Sequence, residues 1–369
     1  MAIHPEAPPH ARPRLSTAGT VGRLALLAVI LAAVVAIFAY LGGWLTPREL
    51  TPARLTDGFE EVGGVHPGFR RNHAKGVGIL GSFESNGNGV RLSKAAVFRP
   101  GRVPVIGRFS LAGPNPYAPD KPDDVRGLGL QFSPPGGEVW RTAMISLPVF
   151  PVSTPQAFYE QLIASKPDPK TGKPDPAKMK AFVERHPENE EARKLIKNRP
   201  ISSGFENSTF HSLNAFRFTN AAGDSTWVRW LVEPAQPFEP ARAAADDKNY
   251  LFDGLIAAIQ RPPARSLRWH LIVIIGQRGD PSNNASAAWP KDRERVDVGT
   301  LTLDQVESDD TSPATYINFD PLVLPYGIAP SDDPLLSARS AVYSQSYTRR
   351  AGEAKPAAAV TPAEVGKGG

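Results

Sequence analysis

Beyond Pro47, glycine and proline (32 and 38 in the chain) cut the sequence into short runs, and that punctuation leaves few folds open. RVPVIGRFSL, VRGLGLQFS, FHSLNAFRFT, STWVRWLVE and LRWHLIVIIG carry alternating apolar and polar residues over about five to eight positions. A period of two belongs to strands with one buried and one wet face, so the spacing predicts an antiparallel sheet or barrel. Two stretches are helical in character. Asp175 to Ile196 is interrupted by Pro187, which removes a backbone donor. A second helix is expected after Pro334, with Ser331, Asp332 and Asp333 at its start, where short polar side chains and negative charge favour initiation. The end, AKPAAAVTPAEVGKGG, is of low complexity, and residues 352–369 are expected to be a disordered tail.

From Leu24 to Pro47 no residue is charged, and LALLAVILAAVVAIFAYLGGWL matches the roughly 20 apolar residues that cross a bilayer. Arg12, Arg14 and Arg23 precede it against the single Glu6, so the positive-inside rule keeps residues 1–23 cytoplasmic. The expectation is a single span over 24–45 in the inner membrane, with residues 46–351 forming one periplasmic or otherwise extracytoplasmic domain. A cleaved signal peptide is the competing reading. Against it, the run exceeds the usual apolar core of about 7 to 15 residues and no clear A-x-A site follows. The formal charge of +5 is mild and the basic residues are scattered, which argues against a nucleic-acid surface. Cysteine is absent, which excludes disulfides, thiolate metal sites, cysteine nucleophiles and thioether-linked cofactors.

In ARSAVYSQSYTRR, Arg339 stands four residues before Tyr343 and Arg350 seven after it, offsets that share one helical face. Fixed positive charge beside a phenol stabilises the phenolate. Among the seven histidines, His4 and His10 precede the apolar run, His186 lies in a charged helix, and His211 and His270 lie in strand-like runs. His66 sits in a loop without an evident partner. His73 differs through its setting, GFRRNHAKGVGILGSFE.

These residues carry a family resemblance. Arg70-x-x-His73-Ala74-Lys75-Gly76, followed by Gly78, Gly81, Phe83 and Glu84, resembles the distal-histidine segment of haem catalases, and the Tyr343 segment resembles their proximal motif. Arg108-Phe109-Ser110, Asp124 to Phe132, Leu147 to Phe150, Phe319-Asp320-Pro321, Gly327-Ile328 and Pro330-Ser331 resemble further family pieces in the family's order, roughly from Gly58 to Arg350. The resemblance implies a catalase-type antiparallel β-barrel with flanking α-helices, an α+β fold, preceded by one transmembrane helix. It implies haem b, with Tyr343 as the axial iron ligand kept ionised by Arg339. His73 would be the distal base, with Ser110 bonded to it. Arg70, Arg108 and Arg350 would hold the propionates, and Phe158 would line the distal pocket.

Two departures bear on activity. Catalases place an asparagine in N-N-T-P-V-F that bonds peroxide, and Ile145 occupies that position in Met144-Ile145-Ser146-Leu147-Pro148-Val149-Phe150. The chain also ends soon after the Tyr343 helix, as in the minimal catalase-related peroxidases, and Tyr347 stands where some catalases have a histidine. The implied function is reduction of hydrogen peroxide, with organic peroxides as a candidate second substrate. The implied route is an oxyferryl intermediate reduced by a small organic electron donor. The alternatives are a weak true catalase and a non-enzymatic exported haem-binding protein. The assembly state is left open, a homodimer included.

Overall fold

The computed structural model describes residues 16–41, 49–242, 247–260 and 266–366. Residues 1–15 of the expected cytoplasmic segment, 42–45 of the expected span and 367–369 of the tail lie outside the described residues, as do His4, His10, Arg12 and Arg14. The chain divides into two compact units, one up to Thr51 and one from Pro52 onward. In the first, helix α1 (Thr17–Leu41) follows from its apolar, proline-free sequence. Over Thr17–Tyr40 its mean hydropathy of 2.7 suits it to cross a membrane, and a signal sequence has the same character.

Among the described residues, the second unit is built on ten antiparallel strands: β1 (Gly76–Ser85), β2 (Gly101–Leu111), β3 (Arg126–Phe132), β4 (Trp140–Ile145), β5 (Phe210–His211), β6 (Phe216–Thr219), β7 (Ser225–Pro234), β8 (Leu267–Ile275), β9 (Arg295–Ser308) and β10 (Ile328–Pro330). Eight of them close a barrel in the order β1, β2, β3, β4, β5, β7, β8, β9 and back to β1, while β6 and β10 extend from β7. Closure removes the open edges that would otherwise invite pairing with other chains. The run FHSLNAFRFT does not form one strand. It breaks into β5 and β6 around Leu213, whose φ of +67° is incompatible with a continuous strand.

The period-two pattern sorts the barrel's two faces. Phe109, Leu128, Leu130 and Phe132 are buried in the main core with Trp140, Trp230 and Trp269. Phe132 and Trp140 stack at 4.8 Å between ring centres. The intervening residues Arg108, Ser110, Gly127 and Gly129 line a cavity on the other face. One rung runs across five strands, since Gly76 pairs with Ser110, Ser110 with Gly127, Gly127 with Ile145 and Ile145 with His211.

Among the described residues, seven helices accompany the barrel: α2 (Pro52–Gly63), α3 (Pro155–Ala164), α4 (Pro176–Arg185), α5 (Glu190–Lys197), α6 (Tyr250–Gln260), α7 (Pro334–Ala351) and α8 (Pro362–Gly366). Pro187 separates α4 from α5, as its missing donor requires. Asp333 caps α7, accepting a hydrogen bond from Leu335 N at 2.9 Å. With Pro334 at the first helical position, this sets the start of the helix that carries Tyr343.

The tail departs from the expectation of disorder over residues 352–366. Val360 and Val365 are buried against the main core, and Ser308 Oγ donates to Val360 O at 2.7 Å. Gly68 N donates to Glu353 Oε2 at 2.7 Å, and Lys355 pairs with Asp310. Alanine and glycine dominate the composition, but these few anchoring side chains find partners on the barrel.

Candidate active site

His73 is held at three points. Its backbone is left-handed, with φ +54°, a conformation that costs energy for a side-chain-bearing residue and persists only where its surroundings enforce it. Asn72 Oδ1 accepts from both His73 N and Gly113 N at 2.9 Å, while Arg108 Nη1 donates to His73 O at 2.8 Å. The ring itself meets Ser110, with Nδ1 3.1 Å from Oγ. Burial, and after it the charges of Arg108, Arg339 and Arg70, push the imidazole down to about 3. It is therefore neutral at working pH, and its protonated form accumulates only as the pH falls through about 3. A rate that depends on neutral His73 should stay flat from neutral pH down to about pH 4. A rate–pH profile of peroxide consumption checks this, and a break near the ordinary histidine value of about 6.5 would contradict it.

Three arginines converge beside it. Arg108 makes a paired contact with Asp309, Nη2 to Oδ2 at 2.6 Å and Nε to Oδ1 at 3.0 Å. Burial opposes the charge on Asp309, but Arg108 outweighs it and holds the carboxyl below its usual range. Arg70 donates only to carbonyls, Ala314 O at 3.0 Å and Ile317 O at 2.9 Å. Arg350 donates to Thr315 O at 2.5 Å. Burial and then Arg108 lower both, Arg350 to about 10 and Arg70 well below its ordinary value. Of these three guanidinium groups only Arg108 bonds a carboxylate among the described residues, which leaves Arg70 and Arg350 without a bonded anion. Leaving buried charge unpaired is costly, so a ligand with two acidic groups suits this place.

Tyr343 lies on the cavity wall with Arg339 beside it, Cζ 5.9 Å from the ring centre. The Arg339 hydrogen bonds go elsewhere: Nη1 donates to Asn214 Oδ1 at 2.6 Å and Nη2 to Ala143 O at 2.8 Å. Asn214 Nδ2 in turn donates to Asp333 Oδ2 at 2.9 Å, which ties Arg339 to the cap of its own helix. Helical spacing alone puts Arg350 on the Tyr343 face, yet its guanidinium rests over Tyr347 at 4.7 Å. Phe158 on α3 completes an apolar wall with Phe59 and Phe150, at 6.0 and 5.5 Å between ring centres.

All eight residues singled out in the sequence, His73, Ser110, Arg70, Arg108, Arg339, Tyr343, Arg350 and Phe158, line this one cavity, together with Ile145 and Tyr347. Asp309 and Asn214 were not apparent in the sequence, and Asp333 was read only as part of a helix start, because the partners that bring them to the site are distant along the chain. Three other described histidines have partners away from this cavity: His66 Nε2 is 2.9 Å from Gly63 O, His186 bridges Glu160 and Glu188, and His270 Nδ1 is 2.9 Å from Asp297, while burial holds His211 on β5 down to about 4.

The family model for catalase matches residues 68–360. The chain belongs to the catalase family. It is 40% identical over 328 residues to the catalase-related peroxidase of Synechococcus elongatus, covering 88% of this chain and 96% of that protein. It is 32% identical over 308 residues to the catalase-related peroxidase of Mycolicibacterium paratuberculosis, covering 82% and 96% respectively. A bacterial catalase structure shares the fold with a TM-score of 0.67 at 22% identity, covering 95% of this chain and 64% of that one. A fungal catalase matches at 0.69 and 20% identity, covering 77% and 60%. The chain thus spans about three-fifths of the length of these solved catalases. With membership comes the coarse assignment: an oxidoreductase acting on peroxide, in a family whose members use haem. The residues fit that group. The two unbalanced guanidinium charges match its two propionates, and Tyr343 offers an oxygen ligand beside an otherwise largely apolar cavity.

Proposed function

We propose that this protein is a haem b peroxidase that reduces hydrogen peroxide, and organic hydroperoxides, at the expense of a small organic donor. Haem, when bound, supplies the iron that receives the two oxidising equivalents of the peroxide. Tyr343 would hold the iron through its phenolic oxygen, with Arg339 beside it. Arg70 and Arg350 would bind the propionates, with Arg108, already bonded to Asp309, adding its charge beside them. His73 accepts a proton from the near peroxide oxygen at Nε2 and returns it to the far one as the O–O bond breaks, and Nδ1–H donates to Ser110, which selects this tautomer. Phe158 and its aromatic neighbours exclude water from that transfer. The balance is ROOH + 2 AH → ROH + H2O + 2 A, each donor AH giving up one electron and one proton, with R = H for hydrogen peroxide.

The observation that carries this reading is the convergence of a neutral, serine-bonded His73 and Tyr343 on one cavity with three arginines and a single bonded carboxylate. Peroxidase is favoured over dismutation because Ile145 offers no hydrogen bond to orient a second peroxide. The apolar wall of Ile145, Leu147, Phe150 and Phe158 suits an organic substituent. An oxygen electrode, run on holoprotein with and without a phenolic donor, tests this directly. Donor oxidation with little oxygen is expected, and vigorous oxygen release from peroxide alone would overturn the assignment. Restoring the polar group with Ile145→Asn should raise oxygen release by about tenfold, the value of one added hydrogen bond of roughly 1.4 kcal/mol. We place the domain outside the cytoplasm on a retained N-terminal span, supported by the charge asymmetry around α1. Alkaline extraction of membranes from expressing cells should leave the full-length chain in the pellet, and release of a shortened chain would refute this.

A further inference from the structure

Gly127 on β3 occupies the middle of the rung that joins Ser110 to Ile145. A Cβ at this position would lie 2.7 Å from Ser110 Oγ, 2.8 Å from His73 Nδ1 and 2.9 Å from His73 Cε1. All three distances fall well inside the roughly 3.5 Å at which non-bonded heavy atoms begin to attract. The volume that any side chain would take is therefore filled by the His73–Ser110 hydrogen bond.

The surroundings cannot give way equally. The Ser110 backbone is fixed by ladder pairing on both sides, to Gly76 on β1 and to Gly127 on β3. The His73 backbone is held in its left-handed conformation by Asn72 at its N–H and Arg108 at its carbonyl. The soft coordinates are the side-chain rotations of the imidazole and of the Ser110 hydroxyl. An added methyl group would be relieved by turning either one away, and both movements part Nδ1 from Oγ and release the ring.

We infer that Gly127 is a positioning residue for His73: its bare backbone is the patch of sheet that lets the imidazole reach Ser110 and aim Nε2 into the cavity. This rests on the proposed role of His73 as the base, and it adds that the base's orientation is set from a third strand. The glycine acts through His73 and carries no side-chain group that could bond a ligand.

Carbon monoxide bound to the reduced holoprotein serves as a probe, because its infrared stretching band responds to the polar group facing it. The variants are Gly127→Ala, Ser110→Ala and the double variant. Gly127→Ala should move the band as Ser110→Ala does, and the double variant should move it no further, since both changes break one contact. The peroxide reaction of Gly127→Ala should slow by about 100-fold with haem retained, within the range of a mispositioned acid–base group. Gly107→Ala is the control for strand strain. Its Cβ would meet Gly129 O and Leu130 at 2.8 Å and Ile79 at 3.1 Å rather than His73 or Ser110, and its band should stay in place. If Gly127→Ala alone does not fold, the double variant lacks the shortest clash and carries the comparison. An unmoved band in Gly127→Ala, or a shift that adds to that of Ser110→Ala, would overturn the inference. Wild-type protein that binds haem but shows no donor-dependent turnover would sink the peroxidase reading while leaving the band comparison intact.

Discussion

Replacing His73 with alanine should slow peroxide consumption by about 10²–10⁴-fold, the range contributed by a positioned general acid–base group. Haem should stay bound, because its proposed anchors, Tyr343 and the three arginines, are untouched. The effect is expected to be large because nothing nearby can replace the imidazole. Ser110, freed by the change, is a neutral hydroxyl too weakly basic to take the proton, while Asn72 Oδ1 is committed to two backbone N–H groups and Arg108 to Asp309 and two carbonyls. The arginines are also cations and cannot accept a proton. Rapid mixing of holoprotein with hydrogen peroxide, followed by haem absorbance, measures the step alone. A rate within a few-fold of wild type would mean that His73 is not the base. The same variant separates an enzyme from a haem carrier, whose working property would survive the change.

Tyr343→Phe should cost more than about 100-fold in haem affinity, since changes to groups that merely support a metal ligand already cost 10–100-fold. Tyr347, one turn further along α7, offers no replacement, because its ring is covered by the Arg350 guanidinium at 4.7 Å. Haem content after gel filtration gives the readout, and Tyr347→Phe is the comparison expected to keep its haem. Full haem retention in Tyr343→Phe would remove this tyrosine as the ligand. The fold itself should survive the change, because the residue is half-buried on a cavity wall and loses only its hydroxyl.

Several features were legible along the chain. The alternating runs around Arg108, Leu128, Trp230 and Leu271 announced strands, because side chains on a pleated strand change face at every residue. Pro187 and the Asp333–Pro334 pair marked helix boundaries for equally local reasons. The motif around His73 and the Arg339–Tyr343 spacing singled out residues that all line one cavity. Less was legible where local pattern and distant partner disagree. The FHSLNAFRFT run alternates like a strand, yet the chain turns at Leu213, and Asn214 is thereby carried to Arg339. The tail is low in complexity, yet Val360 and Val365 supply enough apolar surface to dock.

The sequence by itself determined the strand character, the helix starts, the apolar N-terminal helix and the residue types available for chemistry, because each of these depends on neighbours within a few positions. The tertiary structure decided which arginine has a carboxylate, where Arg339 spends its hydrogen bonds and why position 127 has no side chain. Arg108 and Asp309 are 201 residues apart, Arg339 and Asn214 are 125 apart, and His73 and Ser110 are 37 apart. Such contacts arise from strand register and barrel closure, which the period of a sequence does not encode, since alternation states that a strand has two faces but not which partner each face will meet.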